Sequence, residues 1–468
     1  MNESSQPTEL LLSVSKDARG TLGSQIEGQL RSRIRDGALR AGTPLPSTRD
    51  LARQLGISRR VVVDAYGQLT AEGYLSVRQG ARPRVAAPAV GASPAPAGPP
   101  PGTTELRFDF RPSMPDVTTF PRAVWARCLR TAATTITDAD LSYGDPRGVE
   151  ALRVALADYL GRVRGVVAAT ENVVITSGYT QALAVVCRAL AETGARHIAL
   201  ESPADPEYGM IAARAGLDPV SVAVDADGIQ VDLLRAANPD AVAVTPAHQH
   251  PTGAVLSSAR RTDLVAWLRE RGAIAVEDDY DAEYRYDRAP IGAMQGLAPD
   301  LVAYAGTASK TLAPGLRLGW LVLPRDLVDD VADIKRLADR GSPVLDQLAF
   351  ADFVDRGEFD RHLRRMRPIY RRRRDTLLAA LRRHAPELEP AGIAAGLHLV
   401  AYLPDGVAEP AVVEAAARRG LALHGLAPYR ISSEGRAGLI FGYATLGERA
   451  LSEGAEILAE AIADVSSR

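Results

Sequence analysis

The sequence predicts two structurally unlike parts: a small α+β unit of three helices and a two-stranded wing at the N-terminus, and a large α/β body with a mostly parallel sheet. Three observations predict this. Residues 20–85 hold eleven Arg against five Asp or Glu, whereas the remainder after residue 85 is net acidic in a chain whose total charge is −2. Fifteen of the seventeen residues from 86 to 102 are Ala, Gly or Pro and none is charged, so no core can form there and a semi-extended spacer is expected. Beyond it, short uniformly apolar runs alternate with helical stretches, as in strands covered on both faces by helices.

Composition bounds the function. At 468 residues the chain exceeds one ordinary core, and 46% hydrophobic with 24% charged residues is a soluble globular balance. Cys128 and Cys187 are the whole cysteine complement, which excludes a disulfide framework and fits a reducing compartment. The run Leu10-Leu11-Leu12 is too short for a secretory segment and nothing later approaches a membrane span, so a cytoplasmic location is expected.

In the N-terminal unit Ile26, Leu30 and Ile34 recur every four positions, one buried helical stripe with arginines outside it. Ser47 stands as an N-cap before a short helix that Gly56 closes, and Ser58 caps a third helix. Val62, Tyr66 and Leu69 line one face of that helix, while Arg59, Arg60, Val61 and Val63 fall near its exposed start. The pair forms a helix-turn-helix, whose second member reads base edges in the major groove while flanking arginines neutralise phosphates. Gly73 to Val85 reads as two short strands joined by a basic turn, a wing.

The stretches Leu45-Pro46-Ser47-Thr48-Arg49-Asp50-Leu51-Ala52, Leu55-Gly56-Ile57-Ser58-Arg59 and Glu72-Gly73-Tyr74-Leu75 resemble the winged-helix domain of GntR-type bacterial repressors. The resemblance implies double-stranded operator DNA as a partner, with contacts from Arg49, Ser58, Arg59 and Arg60 and from Arg78, Arg82 and Arg84 on the wing. Val61 stands where Thr or Ser is often found and would read a thymine methyl by apolar contact. The expected division is a DNA-binding domain over 1–85, a linker over 86–106 and a body over 107–468.

The body's expected strands are 173–176, 197–200, 241–244, 273–276, 301–304 and 318–323, and in open α/β sheets ligands bind at strand ends. There lies Thr307-Ala308-Ser309-Lys310-Thr311-Leu312-Ala313-Pro314-Gly315-Leu316-Arg317. Lys310 offers an amine that can form a Schiff base, and Thr307, Ser309 and Arg317 offer hydroxyls and a guanidinium that hold phosphate; together they suggest a pyridoxal phosphate (PLP) site. Ser177-Gly178-Tyr179-Thr180-Gln181 opens a helix whose free N–H groups suit a phosphate. In Glu277-Asp278-Asp279-Tyr280 a carboxylate can keep a pyridine nitrogen protonated and a tyrosine can bond the ring hydroxyl. His248-Gln249-His250 has metal-ligand spacing, but Pro251 ends the segment and no Cys or further His partner is evident, so no metal is expected.

Taken in chain order, SGYTQ, PTG, EDDYD and T-x-S-K with an arginine seven residues on resemble fold-type I PLP enzymes, the aspartate aminotransferase superfamily. With the winged helix in front, and with Tyr143-Gly144-Asp145-Pro146-Arg147-Gly148 and Phe359-Asp360-Arg361-His362-Leu363-Arg364-Arg365-Met366, the chain is similar to the MocR/GabR group of regulators over nearly its whole length. The resemblance implies a smaller C-terminal α/β subdomain, PLP as cofactor, Lys310 as the Schiff-base lysine, Asp278 on the pyridinium and Tyr280 on the ring hydroxyl. It implies Gly178, Tyr179, Thr307, Ser309 and Arg317 around the phosphate. Tyr143 matches the tyrosine that reaches the neighbouring subunit's phosphate, so a head-to-tail homodimer is expected.

Three departures from the family pattern concern the effector. His250 stands where aminotransferases usually carry Asn, so the cofactor hydroxyl would be bonded differently. Asp205 fills the slot of a ring-stacking aromatic, which Tyr208 is placed to supply, and Glu207 the slot where GABA-responsive relatives carry Arg. Ile440 lies near the place of the arginine that grips an α-carboxylate, with Arg430 and Arg436 as nearby substitutes. These departures argue against an amino acid in the standard pose and leave an amine, an amino acid held otherwise, or PLP itself as the small-molecule effector. The arginine-rich run 361–383 is expected to be an amphipathic helix with a solvated basic face, the alternative being a face that contacts DNA bent around the dimer. The expected function is a PLP-binding transcriptional regulator, with a working aminotransferase bearing an appended DNA-binding domain as the alternative.

Overall fold

The computed structural model describes residues 10–78, 81–86, 106–112, 114–286, 291–430 and 435–466. Two compact units emerge, Met1–Pro101 and Gly102–Arg468. The expected spacer lies outside the described residues apart from Ala86 and Leu106, as do Gln79 and Gly80 of the wing.

In the first unit α1 (Leu22–Arg35), α2 (Thr48–Leu55) and α3 (Arg59–Ala71) precede β1 (Leu75–Ser76) and β2 (Arg84–Val85). The Ser47 hydroxyl accepts from Asp50 N, Gly56 leaves α2 in the left-handed region at φ 64°, and the Ser58 hydroxyl accepts from Arg60 N. These caps fix a short turn between α2 and α3, and the two helices pack against each other. Ile26, Leu30, Ile34, Leu51, Val62, Tyr66 and Leu69 are buried together, joined by Leu10 and Leu12 from the segment before α1. Burying each such side chain stabilises by about 1.5–3 kcal/mol, so this unit has a core of its own. The wing pairs antiparallel, Leu75 opposite Val85 and Ser76 opposite Arg84.

The second unit is built on an eight-stranded sheet. Its chain order runs β3 (Phe108–Asp109), α4 (Arg122–Thr135), α5 (Glu150–Arg164), β4 (Val173–Thr176), α6 (Tyr179–Glu192), β5 (His197–Ser202), α7 (Pro206–Ala215), β6 (Asp218–Asp225) and β7 (Gly228–Ile229). It continues through α8 (Val231–Ala237), β8 (Ala241–Val244), α9 (Ser258–Arg271), β9 (Ile274–Asp279), β10 (Val302–Thr307) and β11 (Gly319–Val322). The sheet order is β4-β11-β10-β9-β8-β5-β6-β7. Neighbours from β10 to β6 are parallel, and β11 runs antiparallel to both β10 and β4. All six expected strands are present; β6 and β7 are additional, because Asp218–Asp225 mixes exposed and buried residues at the sheet edge rather than forming an apolar run.

Helices α10 (Val328–Asp339), α11 (Val344–Asp355) and α12 (Glu358–His384) lead to a smaller subdomain. It holds β12 (Glu389–Ala391), β13 (His398–Tyr402), α13 (Glu409–Arg418), β14 (Leu421–Ala422), β15 (His424–Gly425), β16 (Gly438–Gly442) and α14 (Glu448–Ser466). Strands β12-β13-β16-β15 form an antiparallel sheet, and β14 pairs with β3. In α12 the apolar face of Leu363, Met366 and Tyr370 is buried as its spacing requires. Its arginines are not all solvated: Arg367 donates to Glu283 O at 2.8 Å and Arg373 pairs with Asp116 at 2.8 Å, tying the helix to the body.

Candidate cofactor and effector site

One strand direction explains where the site is. Because β11 runs against its neighbours, it enters the sheet at the edge where β4 and β10 leave it, with Gly319 opposite both Thr176 and Thr307. Arg317, two residues before Gly319, therefore stands beside Gly178, two residues after Thr176. A Cβ on Gly178, whose φ is +112°, would lie 3.2 Å from the Arg317 guanidinium. Arg317 itself is held at φ 52°, a conformation that costs a non-glycine residue about 1–3 kcal/mol and persists only where surrounding structure imposes it. The guanidinium, the start of α6 at Tyr179 and the Thr307 and Ser309 hydroxyls, 2.9 Å apart, make a cup rich in donors for an anion.

This cup forms one end of a cavity of about 200 Å³ lined by Tyr179, Asp205, Glu207, Tyr208, His250, Asp278, Tyr280, Thr307, Ser309, Lys310, Arg317 and His398, among others. Strand alternation decides between the two aspartates ending β9. Asp279 faces away and is engaged by buried Arg164 at 2.8 Å and by the Tyr304 hydroxyl at 2.7 Å. Asp278 faces the cavity, is 3% exposed, and its Oδ1 has no hydrogen-bond partner. Burial, then Asp279, pushes its carboxyl well above the usual range, opposed by Lys310. Burial pushes the Lys310 ammonium down, opposed by Asp278, Asp281 and Asp205.

The opposite wall is aromatic. The Tyr280 hydroxyl donates to His248 O at 2.9 Å and lies 3.2 Å from His248 Nδ1. Behind it Asp281 holds the same Nδ1 at 3.0 Å. Burial, then Lys310, pushes His250 down to about 3, leaving it uncharged. The histidine partner that was not evident from the sequence is His398: its ring lies 5.0 Å from His248 and 4.9 Å from His250, and its Nε2 bonds Pro251 O at 3.1 Å. His248, Asp281 and His398 together form a buried group with metal-ligand chemistry. No local signal points to His398, which lies on β13 far along the chain and reaches the cavity only through the smaller subdomain's docking.

With this geometry in place, comparison with known proteins identifies its kind. The aminotransferase class I and II family matches residues 118–431, and the bacterial regulatory gntR family matches 22–85. The probable rhizopine catabolism regulatory protein MocR of Rhizobium meliloti is 33% identical, over 98% of this chain and 97% of its own. The chain belongs to the MocR/GabR group of regulators. The pyridoxine biosynthesis regulator PdxR of Corynebacterium glutamicum is 30% identical over 92% of this chain and 94% of its own. In structure, the body is similar to the α-aminoadipate aminotransferase of Thermus thermophilus, solved with N-(5'-phosphopyridoxyl)-L-leucine, at a TM-score of 0.70 and 25% identity, covering 77% of this chain and 93% of that one.

The cofactor of this MocR-type body is pyridoxal phosphate, and the residues fit it. Asp278 Oδ1 is a buried acceptor awaiting a proton donor, the Gly178–Arg317 cup suits a phosphate, and Lys310 stands between them. Bound there, PLP supplies an electrophilic carbon for amines and an electron sink. With PLP in the cavity, Asp278 would hold the ring nitrogen's proton, Arg317 would face the phosphate and Lys310 would present its amine.

Several expectations are corrected. Arg430 and Arg436 do not face the cavity: Arg430 donates to Gly435 O and to Arg436 O, while Arg436 pairs with Glu389 at 2.6 Å and lies over the Tyr402 ring at 4.5 Å. Each is turned outward by partners on its own loop or a neighbouring strand. Tyr208 supplies a hydroxyl as well as a face, donating to Asp278 Oδ2 at 3.4 Å. Tyr143 lies in a separate groove with Asp145 and Ser342 and is 87% exposed, so this chain's own fold does not bring it to Lys310.

On the DNA-binding unit, Arg49, Arg59, Arg60, Arg78, Arg82 and Arg84 are all exposed. Arg59 Nε donates to Thr48 Oγ1 at 3.3 Å and Arg84 to Gly42 O at 2.8 Å. Val61 packs partly on the core, because it follows the cap by three positions and turns towards α1; Val63, 44% exposed, is an apolar side chain that α3 presents outward.

Proposed function

We propose that this regulator couples an amine-responsive PLP site to operator binding, with Lys310 as a covalent receptor rather than a turnover residue. The observation that supports the reading is the asymmetry of the cavity: Lys310, Asp278, Thr307, Ser309 and Arg317 all line it, whereas its described lining residues offer no arginine for a substrate carboxylate beyond Arg317 in the proposed phosphate cup. A ligand at this site shifts DNA binding only by its different affinity for two conformations of the body. The division into 1–85, 86–106 and 107–468, a head-to-tail homodimer in which Tyr143 meets the partner's phosphate cup, and a cytoplasmic location complete the proposal. Among the described residues no helix is long and apolar enough to cross a membrane.

Purified full-length protein supplied with PLP is expected to gain visible absorbance that Lys310→Ala abolishes. On DNA from its own upstream region, Arg59→Ala/Arg60→Ala is expected to weaken binding by about 2–4 kcal/mol and reduce its salt dependence. Unchanged DNA binding in that variant refutes the recognition helix. Steady amino transfer to an oxo-acid at about 1–10³ s⁻¹, the ordinary enzymatic range, refutes the receptor reading.

A further inference from the structure

The cavity's charges sort into two sets. Lys310, Arg317 and Asp278 are matched to the cofactor, and among the described lining residues the charged ones left over are Asp205 and Glu207, both carboxylates. Asp205 caps α7, its Oδ1 accepting from Glu207 N at 2.9 Å. Its charge acts on Lys310, Tyr208, Tyr429 and His424. A main-chain bond from Ala204 N to Tyr429 O at 2.9 Å pins this loop to the smaller subdomain, so the carboxylate is presented on a fixed frame rather than a free loop.

Aromatic side chains line the same cavity. Tyr208 stands edge-on to Tyr179 at 5.1 Å, and His250 packs edge-on to Tyr429 at 5.5 Å. Tyr429 is braced in turn by His424 Nδ1 at 3.0 Å. Near the place of the family's carboxylate-gripping arginine, Ile440 is fully buried against Val400 and Leu426. The buried Asp278 Oδ1, without a hydrogen-bond partner, opens onto the same cavity at its cofactor end.

We infer that the effector is an organic cation: an alkylamine whose far end carries a second positive group instead of a carboxylate, received by Asp205 with the aromatic faces of Tyr208 and His250. An ammonium gains a charge-assisted hydrogen bond and attraction to the ring faces, whereas a carboxylate meets two like charges. The inference rests on the PLP-receptor reading above and specifies its ligand.

The test uses full-length protein loaded with PLP, titrated with 1,4-diaminobutane, butylamine and 4-aminobutanoate while visible absorbance and heat of binding are followed. The diamine is expected to bind more tightly than 4-aminobutanoate by at least about tenfold, with butylamine between them. Asp205→Asn keeps the helix cap, because Asn caps as Asp does, and is expected to bring the ratio to about threefold or less. Equal or tighter binding of 4-aminobutanoate, an unchanged ratio in Asp205→Asn, or no binding of the diamine at millimolar concentration each overturns the inference. A protein that takes up no PLP overturns the cofactor reading, and this inference with it, before any amine is added.

Discussion

The two ends of the Lys310 cavity are built in different ways. The cofactor end comes from strand ends of one sheet: Gly178 after β4, Asp278 on β9, Thr307 and Lys310 at the end of β10, and Arg317 before β11. Its geometry follows from sheet register. The opposite wall is assembled from the start of α7, the loop carrying His248 and His250, and His398 on β13 of the smaller sheet. Its geometry depends on how separate elements dock. The cup therefore depends on strand register and the wall on docking, two independent sources of geometry.

The largest expected effect on this contrast is at the cofactor end. Asp278→Ala removes the carboxylate proposed to meet the ring nitrogen, and PLP affinity measured by absorbance titration should fall about 100-fold, the worth of one buried charge-assisted bond. A loss under about threefold would mean that Asp278 does not meet the cofactor. On the docked wall, Gly396→Ala is expected to destabilise the protein by about 2–4 kcal/mol in denaturant unfolding. At φ +72°, a Cβ there would lie 2.2 Å from His248 Cε1 and 2.5 Å from Asp281 Oδ2. If Gly396→Ala is neutral, the His248–Asp281 pair is not the wall's support.

A pH dependence sharpens the contrast further. Buried Glu201 accepts from the Thr245 hydroxyl and from Gln249 under the same wall, and burial pushes its carboxyl up to about 7. A folded value above the unfolded one of about 4.3 means stability present below that unfolded value and lost as pH rises through the folded one. From pH 5 to 8 the wild type should therefore lose about 2–3 kcal/mol relative to Glu201→Gln, read as the change in their stability difference. A difference constant with pH would place the charge of Glu201 elsewhere. The smallest effect is expected for Tyr429→Phe, which removes the bond to His424 and should cost about 1 kcal/mol in the same unfolding measurement.

Much of the cofactor end was legible from residues alone. Lys310, Asp278, Tyr280, Ser309 and Arg317 lie in short motifs at the ends of apolar runs, and such runs fix both strand and strand end. The helix-turn-helix was equally legible, since Ser47, Gly56 and Ser58 cap their helices locally. The docked wall was not. Charge and chain position alone offer Arg430 and Arg436 to the cavity, yet partners close in space turn both outward. His398 carried no signal, because nothing in its own stretch indicates which surface β13 will meet.

By itself the sequence determined the two-part architecture, the MocR-type pairing of a gntR unit with an aminotransferase body, and the motif residues that line the cavity around Lys310. All of these rest on interactions short in sequence: caps, apolar runs and motif loops. Only the tertiary structure decided that Asp279 turns away to Arg164, that Val61 packs inward, and that histidines and carboxylates rather than arginines complete the wall. Those outcomes depend on which surfaces bury one another, a long-range choice made by packing and hydrogen-bond satisfaction across elements, and no single stretch of the chain encodes it.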